Sequence, residues 1–99
     1  MYLINIAIRV DQVPADKFRD LAAAHSEWFL GEVEKKNFLL VGPYLDWQGA
    51  GIILARTMKR EELDEILSHD AFWDGLADYE IHEFKALKIL PALLSQVEK

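Results

Sequence analysis

Two short stretches carry side chains suited to moving a proton. In "LAAAHSEWF", residues 21–29, His25 stands where a helix would be expected to place an apolar residue. With Phe18 as reference on a wheel of about 3.6 residues per turn, Leu21, Ala22, His25, Trp28, Phe29 and Val33 share one side, and Asp20, Glu27 and Glu34 lie opposite. The histidine therefore points inward. A core histidine with one backbone hydrogen bond and a catalytic histidine both fit that pattern. The second stretch is "SHDAFWDGL", residues 68–76, in which Asp70 follows a helical segment and precedes an aromatic pair. Asp70 could cap the next turn. It could also meet the inward imidazole, fix its tautomer and strengthen it as a general base or acid. Spacing alone leaves that meeting open.

The remaining chemistry-bearing residues narrow the field. Glu32 falls on the inward side near the helix end, where a long side chain can snorkel to water, and a structural role is expected. Arg9 and Arg56 alternate onto strand faces and could take an anionic group or form edge salt bridges. Tyr44 and Trp47 sit in a glycine-flanked loop, a common place for pocket walls, while Trp28, Phe72 and Trp73 suit the core or an interface. The three histidines show no metal-ligand spacing, so no tightly held metal is expected. No phosphate-cradling glycine loop and no G-x-S-x-G turn occurs. The absence of cysteine removes disulfides and thiol nucleophiles.

Elements that could position these groups follow from the pattern. In "MYLINIAIRV", Tyr2, Ile4, Ile6, Ile8 and Val10 alternate with the rest, which predicts a first strand. Pro14 suits the first turn of a helix, which runs to about Lys36. "NFLLVGPYL" reads as a strand ended by Gly42-Pro43, "DWQGAG" as a loop and "GIILARTM" as a third strand. "KREELDEILSHD" is helical by its Leu63, Ile66 and Leu67 spacing, and "AFWDGLA" adds a turn ending near Gly75. "YEIHEFKALKI" is the fourth strand. The single domain spans 1–99, with a core of about 1–89 and a tail over 90–99.

The predicted class is α+β, with the ferredoxin-like βαββαβ order, a four-stranded antiparallel sheet and two helices on one face. The other face of the first and third strands is expected to offer Leu3, Ala7, Ile53 and Ala55. A homodimer pressing sheet against sheet would bury them. Ninety-nine residues, 52% of them apolar, suit one compact unit, and a net charge of −6 with dispersed acids argues against nucleic acid. With no apolar run of membrane-spanning length and no signal-like leader, a soluble, cytoplasmic protein is expected.

Taken together, "LAAAHSEWF", "FLLVGPYLD", "GAGIILA" and "HDAFWDGLADYEIHEFKAL" resemble the YciI-like (YCII-related) domain family over nearly the whole chain. The family's helix histidine falls on His25, its Gly-Pro on Gly42 and Pro43, and its loop aspartate on Asp70. Ala71 replaces the usual proline, and Phe84 stands where the family often has tryptophan. The resemblance implies a dimeric α/β barrel with a His-Asp site, no metal and no organic cofactor. It also implies kinship with a chlorohydroxyhydroquinone dehydrochlorinase and, more widely, with muconolactone isomerases. The function expected is a cofactor-free lyase or isomerase in which His25 moves a proton and Asp70 orients it. Trp28, Gly42, Pro43, Tyr44, Phe72 and Arg9 would bind a compact cyclic, phenolic or enolic substrate. The rival expectation is a non-catalytic dimeric binding or accessory module.

Overall fold

The computed structural model describes residues 1–97. Strand β1 (Tyr2–Ile8) leads through a 3-10 turn at Val10–Gln12 into helix α1 (Ala15–Glu34). Strands β2 (Phe38–Pro43) and β3 (Ala50–Ala55), helix α2 (Arg60–Leu67) and strand β4 (Ala77–Glu83) follow. The strands form one antiparallel sheet in the order β2-β3-β1-β4. This is an α+β architecture compatible with the ferredoxin-like fold. No helix among the described residues is long and apolar enough to cross a membrane.

Register decides which side chains the helices cover. Tyr2 pairs with Ala55 and Glu83, and Ile4 pairs with Ile53 and Ile81. Directly opposed residues share a face, so the alternation of β1 extends across the sheet and Ile4, Ile6, Ile53 and Ala55 all turn toward α1 and α2. Leu63, Leu67, Phe38 and Phe72 complete that core with no more than 1% exposure. Each contributes roughly 1.5–3 kcal/mol by burial.

Two expectations about the sheet are corrected by this register. Ile53 and Ala55 lie in the core, at 4% and 0% exposure, and not on the uncovered face. There Leu3, Asn5 and Ala7 meet Leu54, Ile52 and Ala50 instead. Strand β4 also ends at Glu83, well before the expected boundary. Its last pairing with β1 is Tyr2 with Glu83, and the Phe84 N–H donates to the Met1 carbonyl. The chain from there to Val97 is exposed apart from local turns. The last two residues of the tail expected over 90–99 lie outside the described residues.

Candidate functional site

Helix α1 delivers His25 to the middle of its apolar stripe, as its spacing requires. Phe18, Leu21, Ala22, Trp28, Phe29 and Val33 pack on the core around it. The imidazole is held among rings, with centroids 5.2 Å from Phe29, 5.3 Å from Phe72 and 5.7 Å from Trp28. Its side chain keeps 17% exposure. The turn after α2 then carries Asp70 beneath it: His25 Nδ1 lies 2.6 Å from Asp70 Oδ1. Because a carboxylate accepts and does not donate, Nδ1 carries the proton in this pair and Nε2 is left as the free ring nitrogen.

The Asp70 carboxylate is fully withdrawn from water and satisfied by three donors. Besides His25, the Phe72 N–H donates to Oδ1 at 3.3 Å and the Tyr79 hydroxyl donates to Oδ2 at 2.6 Å. The capping role and the histidine contact are thus performed by one side chain at once. Tyr79 reaches it from β4, where strand parity with Ala77 and Ile81 turns it to the helix side. Burial, followed by the hydrogen bond to Asp70, pushes the Tyr79 phenol well above the ordinary tyrosine range. Sequence reasoning missed Tyr79. Its signal was present: a tyrosine at a core-facing strand position must find a partner for its hydroxyl.

A cavity of about 280 Å³ opens between α1 and the β2–β3 hairpin, lined by His25, Ser26 and Phe29 on one side and by Val41, Gly42, Pro43 and Gly51 on the other. Glycine creates this space. Gly51 pairs with Ile6 and so faces the helices, where a side chain would fill the gap. A Cβ there would stand 2.9 Å from the Gly42 carbonyl oxygen, so the backbones of β2 and β3 approach too closely to admit one. The wall is mostly apolar. His25 and Ser26 supply its polar side chains among the described residues.

Of the residues expected to bind substrate, Gly42 and Pro43 line the cavity with His25, and the other four are placed elsewhere. Phe72 has no exposed surface and lies in the core against His25. Trp28 packs edge-on to Phe38 and donates its indole N–H to the Ile66 carbonyl at 3.0 Å, tying α1 to α2. Tyr44 stacks on Trp47 and hydrogen-bonds the Asn5 side chain, which belongs to the uncovered sheet face. Arg9 pairs with Asp78 at the far edge of the sheet, through Nη2 at 2.5 Å and Nε at 3.2 Å. That guanidinium holds the Asp78 carboxyl below its usual range. Phe29, which the sequence marked only as stripe, is the aromatic wall of the cavity.

Glu32 is likewise structural but does not snorkel. It is buried, and it accepts from the Asn37 amide at 2.8 Å and from Lys35 Nζ at 3.4 Å. Asn37 in turn accepts from Arg56 Nε at 2.9 Å, which occupies that arginine within the fold. No group of metal-ligating side chains occurs among the described residues.

No protein-family model matches the chain, and no match is found among curated proteins.

Proposed function

We propose that the protein is a YciI-like, homodimeric, cofactor-free enzyme of the lyase or isomerase type. It works by proton transfer on a compact phenolic, enolic or otherwise cyclic substrate, and dehydrochlorination is the reaction nearest by analogy. The observation that carries this reading is the 2.6 Å contact between His25 Nδ1 and the buried Asp70, with the same histidine in the wall of an apolar cavity. Asp70 keeps the proton on Nδ1, so Nε2 presents a lone pair to a ligand and takes a proton from carbon or oxygen. As Nε2 gains that proton, the imidazolium forms beside a carboxylate already in place, with no reorganisation needed at that moment. The apolar wall with Phe29 suits a ring, and a cavity of this size suits a small one.

A second reading has its own support. An aspartate satisfied three times and hidden from water is also what a structural brace looks like, and the cavity could then serve a binding module.

One experiment separates the two. A panel of small phenols, catechols and cyclic enols, including chlorinated members, is screened by thermal shift, since a ligand of the native state raises the midpoint. Hits are then incubated in deuterated water and followed by NMR. Enzymatic proton transfer incorporates deuterium or releases chloride with the parent protein, and His25→Ala abolishes it. Binding without exchange supports the module, and the absence of any stabilising member overturns the substrate class.

A further inference from the structure

Beyond Phe84 the chain leaves the sheet and carries its apolar side chains into water. Leu87 is 86% exposed and Leu94 82%, and Ile89, Leu90, Leu93 and Val97 are exposed as well. The hydrogen bonds of this stretch are local: the Leu93 N–H donates to the Leu90 carbonyl, and the Ser95 hydroxyl donates to the Ala92 carbonyl. Lone exposed leucines are ordinary, but six large apolar side chains within eleven residues form a surface of the kind that marks an interface. A second set of exposed apolar side chains, called the strip below, comprises Leu39 and Leu40 on strand β2 and Leu45 and Trp47 in the loop that follows it. Strand β4, from which the arm departs, and strand β2, which begins the strip, are the two edges of the sheet. The arm therefore departs from the edge opposite the one on which the strip begins, and the named side chains of both are exposed in the single chain.

We propose that residues 85–97 form an exchange arm that packs on the Leu39–Trp47 strip of a second copy of this chain, while the second copy's arm packs on the strip of the first. The proposal rests on the homodimer included in the functional reading and says what holds it. A two-fold axis satisfies both unlike surfaces twice, because arm-on-strip in one direction is repeated by strip-on-arm in the other. The area is sufficient. Six side chains at roughly 60–120 Å² each leave on the order of 500 Å² of apolar surface per arm. Two arms and the strips they cover then exceed the ~1,000 Å² that a specific interface needs. Charge agrees: the arm brings Lys85 and Lys88 to a chain of net charge −6 whose strip contains Asp46.

The test uses the full chain and reads mass and covalent linkage, not turnover. The chain has no cysteine, so Leu39→Cys and Leu94→Cys define one site each. Mixed and mildly oxidised, differently tagged single variants should yield a cross-linked pair joining one of each, well above the yield of either alone. In sedimentation the parent chain should be a dimer at micromolar concentration. Leu90→Asp combined with Leu94→Asp should raise the dissociation constant by roughly 100-fold or more, with unchanged circular dichroism because both side chains are exposed and outside the buried core. Leu39→Asp should act in the same direction. A dimer whose dissociation constant ignores the arm substitutions overturns the arm and leaves the homodimer standing. A monomer at micromolar concentration overturns both, and neither result bears on proton transfer by His25.

Discussion

Tyr79 and His25 grip opposite oxygens of one buried carboxylate: the phenol donates to Asp70 Oδ2 at 2.6 Å, and the imidazole contacts Oδ1 at 2.6 Å. The aspartate can turn toward neither without losing the other. Strand β4, helix α1 and the turn after α2 are thereby joined at a single side chain, and the plane of the imidazole is set by elements distant in sequence.

Removing the phenol hydroxyl should show in stability. Tyr79→Phe leaves Asp70 Oδ2 buried without its donor, and a hydrogen bond to a charged group is worth about 1.5–3 kcal/mol. Urea denaturation should therefore give a lower midpoint at unchanged slope. A loss under about 0.5 kcal/mol, within the range of ordinary surface substitutions, would mean that water replaces the phenol and that the three-way arrangement is not stabilising.

The same phenol sets an alkaline limit. Its folded-state pKa is raised above the ordinary value of 10.0, by burial first and by the Asp70 hydrogen bond second, whereas the unfolded chain releases that proton near the ordinary value. The stabilisation is fully present below pH 10.0 and is lost as the pH rises beyond it toward the folded-state value. Midpoints measured on either side of that pH should fall more steeply in the parent chain than in Tyr79→Phe. Equal slopes would place the responsible group elsewhere.

Gly51 should not tolerate even a methyl group. An added Cβ meets the Gly42 carbonyl oxygen at 2.9 Å, a backbone atom held by the β2–β3 pairing. Gly51→Ala should cost about 1–3 kcal/mol as an overpacked contact and should also abolish thermal stabilisation by any cavity ligand. Gly31→Ala, where nothing lies within 4 Å, is the matched control and should be neutral or slightly stabilising, since alanine favours a helix interior. A Gly51→Ala protein as stable as its parent would show that the two strands can separate freely.

How much of this was legible beforehand differs by element. The stripe on α1 located His25 because a 20-residue helix repeats its face five times over and leaves little doubt about orientation. The order of elements along the chain followed from period-two alternation in β1, helical spacing in α1 and α2 and the turns between elements. Strand β3 was misread because "GIILA" is apolar at every position after its glycine, so no alternation indicates which residues face the helices. Only pairing with β1 resolves it. "EFKALKI" has strand-like composition, but composition does not say where pairing stops, and the pairing of β4 with β1 stops at Tyr2 and Glu83. The contact between His25 and Asp70 spans 45 positions, a relation that local spacing does not encode. Aromatic character, shared by core, interface and ligand wall alike, does not separate Phe72, which lies in the core, from Phe29, which lines the cavity.

The pair itself makes the sharpest prediction, for a substrate found by the screen. His25→Ala removes the proton acceptor and should depress turnover by roughly 10²-fold or more. Asp70→Asn is the subtler change. The Phe72 N–H and His25 Nδ1 both address Oδ1, so the amide oxygen is held on that side and the amide NH₂ faces Tyr79, whose hydroxyl can rotate to accept. The imidazole tautomer survives, the negative charge does not, and turnover should fall by less than in His25→Ala. Asp70→Ala removes both and should approach the His25→Ala loss while also destabilising the fold, because all three donors lose their acceptor. Combining His25→Ala with Asp70→Asn should cost little beyond His25→Ala alone, since residues that act as one unit are not additive. Losses that multiply would show Asp70 acting independently of the histidine, and a folded double variant with near-parent turnover would remove the dyad from the reaction altogether.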